Sequence, residues 1–416
     1  MRRLIAIGAA VVVVGVLVYV VVGRGSSTSA AALPLKGHAQ TQSAAALSLT
    51  DPLGSFGLTL LAQQAKAAPG NVVVSPASLH AVLSMLLNGA RGQTAEEMRT
   101  ALGLGSQTQA DVNQGWADLI TTAQSGTKPE VTIADSLWLR DGVSFDQSFL
   151  DLNRNYFAAQ LAKLAADPTQ AAADINSWVK EHTAGKITDI VSPQDFSDTT
   201  LLALINTIHI KVRWTHFQKA DTGPQPFTLA DGTKVDVQMM QAHDLQARGA
   251  ATQAYNLVGL TTSGPVTVWV IVPNGSQTPE SVIAALQQTG LSTALKAAQM
   301  GPADVFLPRL SIKYTAQDLQ GGLEAAGMKR AFDPNLAQFD GVANVHPLYV
   351  QSVIQKATLD MNEQGVEAAA ASGLVVGTTA MPVSTLTVRA DRPYLVVLTE
   401  KSTEAPLFMA VVRDPR

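Results

Sequence analysis

An α+β fold is predicted by three features of the sequence: helical periodicity concentrated in the first half, long β-branched and apolar runs concentrated in the second, and no regular alternation of the two. The chain has 416 residues, of which 46% are hydrophobic and 15% charged, enough to bury a sizeable core. Apolar residues recur three and four apart over Leu53 to Ala67 and over Pro76 to Gly89. Thr94 with Glu97 three residues on has the form of a capping box opening the next helix through Leu102. Asp167 as cap, Pro168 in the first turn and Gly185 at the end bracket another. Leu201 to Val212 is nearly all apolar or β-branched and reads as a central strand covered on both faces. Val131 to Leu139, Val266 to Val272, Val305 to Leu310, Tyr349 to Asp360 and Tyr394 to Leu398 read as further strands.

Before this body lies a targeting segment. Arg2 and Arg3 precede an uncharged run from Leu4 to Val22, followed by Gly23 and Arg24. The run is long enough to cross a bilayer, which favours an uncleaved signal anchor over residues 1–24. Ala30-Ala31-Ala32 offers a signal-peptidase site, so secretion after cleavage stays open. Either way the body is expected to be extracellular or held at the cell envelope, touching membrane through this segment only. Residues 25–50 are small and polar and read as a flexible low-complexity linker, with the folded domain spanning 51–416.

Composition excludes several functions. A formal net charge of -4 lacks the basic footprint of a nucleic-acid binder. With no cysteine there is no disulfide, thiolate metal site or cysteine nucleophile. His38, His80, His182, His209, His216, His243 and His346 lack the spacing that puts two imidazoles on one helix face, so no metal and no cofactor is expected. No Gly-x-Ser-x-Gly elbow or His-Glu-x-x-His helix is present; Gly185-Lys186 is followed by Ile187, which could not hold magnesium as a phosphate loop requires. A triad assembled from distant segments, as in a membrane-tethered hydrolase, is open to sequence reasoning, but no nucleophile stands out.

One segment does not suit an ordinary domain. From Ala368 to Val388 there is neither a charge nor an aromatic ring. A stretch of that length without structure is commonly functional. Were the arm to become a central strand, Val366, Ala368, Ala370 and Ser372 would face one side, and Glu367, Ala369 and Ala371 the other. Small uncharged side chains let two strands part around them, whereas a buried unpaired charge would cost several kcal/mol.

These segments resemble the serpin family, in family order, from Asp51 to Arg416. Asn71-Val-Val-Val-Ser75-Pro76-Ala-Ser78 resembles the opening of the family's shutter, and Leu87 to Glu97 the helix end and cap that follow. Ile175-Asn176-Ser-Trp178-Val179 with Thr183 to Ile187 is similar to the helix lying across the main sheet, and Asn206 through Lys211 to Trp214 to the strand entering the breach. Leu307-Pro308-Arg309-Leu310, the Asp360 to Gly365 hinge, Arg392-Pro393-Tyr394 and Ala405-Pro406-Leu407-Phe408 complete the series.

The resemblance implies three β-sheets, about nine helices and an exposed reactive-centre loop, in a monomer. It implies a suicide-substrate inhibitor: a serine protease cuts the loop, an acyl-enzyme forms, and the freed arm enters the central sheet before water releases it. About fifteen inserted residues at ~3.3 Å each would carry the protease on the order of 50 Å. It assigns the hinge to Glu363, Gly365, Val366, Glu367, Ala368, Ala369, Ala370 and Ala371, and the shutter and breach to Ser75, Ser78, Asn206, Trp214, Arg309 and Gln355. Counting from the hinge glutamate places the cut at Thr379–Ala380, with Thr378 and Met381 as neighbouring alternatives. Small neutral residues there suit an elastase-like or subtilisin-like protease with a shallow primary pocket. Val366 stands where inhibitory members carry Thr or Ser, Gln355 where many have a histidine, and Val212 where a glycine is common. A non-inhibitory serpin serving as carrier, chaperone or storage protein is the alternative.

Overall fold

The structure, a computed structural model, describes residues 10–21, 43–125, 131–212, 214, 216–363 and 386–416. The first third holds β1 (Ala10–Val21), α1 (Ala44–Leu47), α2 (Thr50–Ala67), β2 (Val72–Val74), α3 (Pro76–Leu87), α4 (Gly92–Ala101), α5 (Gln109–Ala123), β3 (Val131–Arg140) and α6 (Gln147–Phe157). Then come β4 (Gln160–Leu164), α7 (Pro168–His182), β5 (Thr200–Val212), β6 (Gly223–Thr228), β7 (Lys234–Ala251), β8 (Tyr255–Thr261) and β9 (Val266–Pro273). The rest comprises α8 (Pro279–Thr289), α9 (Leu291–Lys296), β10 (Gln299–Pro308), β11 (Leu310–Thr315), α10 (Leu319–Ala325), β12 (Tyr349–Met361), β13 (Leu386–Arg389), β14 (Tyr394–Glu400) and β15 (Pro406–Val412).

Six strands form the main sheet in the order β11-β12-β1-β5-β3-β4. A second hydrogen-bonded path runs β13-β10-β7-β8-β9-β14-β15-β2, with β6 also on β7. The long β7 belongs to two layers: its start, Lys234 to Met239, pairs with β6, its end, Arg248 to Ala251, pairs with β8, and β10 lies along Met239 to Gly249. Between them the pairing to β10 slips, beside Asp244 with φ +50°, a bulge that re-aims the strand. The fold is therefore α+β with three β-layers. Of the ten α-helices among the described residues, α1 is a four-residue turn.

The main sheet has a helix on each face, which explains the continuous apolar character of β5. Leu202, Leu204 and Ile208 pack into the large core with α3, while Ala203 and Ile205 pack with Ile175, Trp178 and Val179 of α7. Every residue of α3 is buried, as expected of a helix apolar on all sides. The Asp167 side chain accepts a hydrogen bond from the Gln170 N–H at the start of α7, and Gly185, at φ +75°, turns the chain beyond its end.

Four sequence expectations differ from the structure. The Leu4–Val22 run, read as a membrane anchor, has Ala10–Val21 as a strand inside the main sheet; valine-rich chain fits a pleated, doubly paired position. After β1 the described structure resumes at Ser43, within the expected linker, where Ala46 and Leu49 are buried and Ser43 hydrogen-bonds Asp118. The Thr94–Glu97 capping box does not form: α4 begins earlier, Thr94 Oγ1 accepts from the Gln338 N–H at 3.0 Å, and Glu97 accepts from the Lys329 and Arg330 N–H groups. The Val305 to Leu310 run is two strands in different sheets, broken where Pro308 removes a ladder donor and the Arg309 N–H bonds to Gln238 O.

Candidate functional site: the β5–β12 slot and its ends

The N-terminus of α3 sits beneath the middle of the main sheet and holds the strands on either side of β1. Ser75 caps the helix by accepting from the Ser78 N–H at 3.1 Å, with Pro76 pre-set in the first turn. The Ser75 hydroxyl donates to Leu407 O at 2.7 Å, tying the helix start to β15. Gln355 of β12 is fully buried and grips the Ser75 backbone twice: its Nε2 donates to Ser75 O at 2.9 Å, and its Oε1 accepts from the Ser75 N–H at 3.2 Å. One turn on, the Ser78 hydroxyl donates to Oδ1 of Asn206 on β5, whose Nδ2 donates to Asp135 Oδ1 on β3 at 2.9 Å.

Two polar clamps thus arise from one helix turn, one per flanking strand. They lie on the same rung of the sheet, since Val16 of β1 pairs with Gln355 on one side and Asn206 on the other. Both β12 and β5 run antiparallel to β1, so they are parallel to each other and the slot between them takes one antiparallel strand. All four shutter residues named from sequence, Ser75, Ser78, Asn206 and Gln355, meet here.

Asp135 was not singled out from sequence. Burial pushes its carboxyl up to about 7, against the opposing effect of the Asn206 hydrogen bond, and its Oδ2 is buried without a hydrogen-bond partner. Nothing in Val131 to Leu139 distinguishes an interior aspartate from a surface one; only the pairing Asp135↔Asn206 does so.

The upper end of the slot is anchored by an ion pair. Glu363, just beyond β12, is buried, and both of its oxygens accept from Arg309 Nε at 2.8 Å, with Arg309 Nη2 at 2.7 Å from Oε1. Burial acts to raise its carboxyl, but hydrogen bonds from Arg309 and Thr222 outweigh it and hold the group below the usual range. The break between β10 and β11 places Arg309 here. Trp214, buried edge-on against Phe217, donates its indole N–H to Asn362 O at 2.9 Å. At the front face, Lys186 reaches Asp360 at 3.2 Å, strapping the end of α7 to β12. The remaining hinge residues, Gly365, Val366, Glu367, Ala368, Ala369, Ala370 and Ala371, and the bond Thr379–Ala380 lie outside the described residues.

Two polar clamps beneath a parallel strand pair, with Glu363 anchored just beyond β12, define a sheet that holds one antiparallel strand between β5 and β12. A family model described as serpin (serine protease inhibitor) matches residues 52–415. The chain is 30% identical over 359 residues to a serine protease inhibitor of Cyanea capillata, covering 84% of this chain and 93% of the relative. It is 31% identical over 367 residues to a corticosteroid-binding globulin of Ovis aries, covering 86% and 84%. Among solved structures, native-state tengpin, a thermophilic serpin, matches with TM-score 0.76 at 23% identity over 93% of this chain and 97% of that one. A thyroxine-binding globulin complexed with thyroxine matches with TM-score 0.75 at 26% identity, covering 88% and 99%. The chain belongs to the serpin family, whose fold it has and whose general activity is serine protease inhibition without catalysis of its own.

Proposed function

We propose that this serpin is an inhibitory, single-use substrate for an elastase-like or subtilisin-like serine protease. The protease attacks the Thr379–Ala380 bond, and the arm beginning at Glu363 then enters the β5–β12 slot while still acylated. The observation that carries this reading is the polarity of the slot: it accepts one strand antiparallel to β12, the direction taken by a chain that turns back at the end of β12. Arg309 and Trp214 hold the pivot of that turn. Distortion of the trapped protease would remove the oxyanion donors and water positioning that deacylation needs. The apolar Leu4–Val22 run supplies the tether, placing a monomeric inhibitor outside the cytoplasmic membrane.

The test uses full-length protein reconstituted in phospholipid vesicles and incubated with pancreatic elastase and with subtilisin. Wild type is expected to give an SDS-resistant complex of summed mass with a new N-terminus at Ala380, while Ala370→Glu is cut without complex. Cleavage and release of both proteins by both proteases would overturn the inhibitory reading. A carrier role is the second reading. A cleft of about 440 Å³ between α2 and the α8–α9 pair, lined by Ser55, Leu58, Thr59, Leu286, Leu291 and Thr293, favours it, as do the corticosteroid-binding and thyroxine-binding globulins among the relatives. Its mixed polar and apolar lining and open mouth leave a hydrophobic ligand only partly enclosed.

A further inference from the structure

We infer that the β5–β12 slot is a docking site for the protein's own N-terminal segment, and that a lipid bilayer competes with the sheet for that segment, so that membrane insertion empties the slot for the loop. The consequence for inhibition rests on the reading above; the docking itself rests on β1.

Backbone geometry carries the first half. Residues Val11 to Val21 have register partners on β12, and Ala10 to Val21 on β5, with one irregularity on each side near Val20. The segment is hydrogen-bonded along both edges in the middle of the main sheet. Its polarity is the one the arm after Glu363 would need, so the two segments require the same edges of the same two strands. A ladder N–H or carbonyl of β5 cannot serve both partners at once, so occupation is exclusive. While β1 is in place, a cut in the loop ends in hydrolysis instead of trapping.

The sequence of the segment carries the second half. Leu4–Val22 is 19 uncharged residues. At ~1.5 Å per residue a helix of that length spans about 29 Å, close to the ~30 Å hydrocarbon core of a bilayer. Valine at nine of these positions favours a strand where partner edges exist. In lipid, without such edges, only a helix satisfies the backbone of a single span. The same residues therefore have two satisfied states, chosen by environment, and in water exposure of the free run is the worst alternative. The 21 residues from 22 to 42 extend at most about 70 Å, which lets the segment change place without moving the domain.

The chain contains no cysteine, so an introduced pair can form only its own disulfide. Gly15 pairs with Lys356 and Leu17 with Ile354. Full-length Gly15→Cys/Lys356→Cys and Leu17→Cys/Ile354→Cys are oxidised in vesicle-free buffer or after reconstitution in phosphatidylcholine–phosphatidylglycerol vesicles. Disulfide is read by mass, with Gly15→Cys/Ser352→Cys, four residues out of register, as control. Expected is cross-linking of both matched pairs in buffer, none in the control, and loss of cross-linking in vesicles. The buffer-oxidised protein should be cut by elastase without complex, and after reduction and vesicle insertion should form it.

Absence of the matched disulfide in buffer, or equal cross-linking of the mismatched control, would overturn the docking. Undiminished cross-linking in vesicles would overturn the competition, and a covalent complex from the locked protein would overturn the exclusion. Should no sample trap a protease while the disulfides follow the expected pattern, the docking stands and the inhibitory reading falls.

Discussion

Replacing Asp135 with Asn removes a charge that the shutter cannot solvate. The folded carboxyl titrates at about 7 instead of its ordinary 3.8 because it is fully buried, with one bond from Asn206 and nothing on Oδ2. A folded value above the unfolded one means that the native state keeps its proton while the unfolded chain has lost it. Stability from this group is complete below pH 3.8, falls as pH rises toward 7, and is lost above it. At ~1.36 kcal/mol per pH unit, the rise from 3.8 to about 7 corresponds to about 4 kcal/mol. Asp135→Asn keeps the acceptor for Asn206 and places an NH₂ where Oδ2 already lacks a partner, an unmet donor costing about 1–2 kcal/mol. The variant should therefore be more stable than wild type by about 2–3 kcal/mol at pH 8, with the gap closing or reversing at pH 4. Urea unfolding followed by tryptophan fluorescence across pH 4 to 8 measures it. The difference between proteins removes the common effect of His80, whose burial lowers it to about 4 and whose pH dependence runs the other way. Parallel profiles for both proteins would show that Asp135 is ionised in the native state and refute the reasoning.

Four further outcomes follow from named contacts. Arg309→Ala leaves Glu363 buried without its cation and should cost about 2–3 kcal/mol, more than Arg309→Ala/Glu363→Gln, which removes the stranded charge; urea midpoints of single and double variants decide it. Because Glu363 sits below its usual value, the stability it contributes is present above the unfolded carboxylate pKa and lost on acidification through the folded one, and Glu363→Gln should abolish that loss. Ser75→Ala removes both the cap of α3 and the bond to Leu407 O and should cost about 1–2 kcal/mol, read as an earlier unfolding midpoint. Gly259→Ala puts a Cβ 2.7 Å from the Trp269 ring on the neighbouring strand and should cost about 1–3 kcal/mol, with a shift in tryptophan emission reporting the displaced ring.

Much of the scaffold was legible because burial writes itself into composition. β5 is apolar or β-branched at most positions since α3 and α7 cover its two faces, and α7 announces its ends through Asp167, Pro168 and Gly185. Serpin likeness named Ser75, Ser78, Asn206 and Gln355, which come from three distant segments and meet where one turn of α3 reaches one rung of the sheet. What stayed hidden depends on contacts between distant segments. Thr94 and Glu97 have the spacing of a cap, yet their partners are Gln338, Lys329 and Arg330. Val305 to Leu310 has the composition of one strand, and only the pairings with β7 and β12 reveal two. Hydropathy gives Leu4–Val22 the length of a membrane span but is silent about the two open strand edges that the folded domain offers it.

Hydrogen–deuterium exchange across residues 364 to 379 in vesicle-bound protein, before and after a single cut at Thr379–Ala380, tests loop insertion most directly. The account predicts that these amides, once cut, gain protection matching that of β5 and β12. Exchange at the same rate before and after the cut would contradict it.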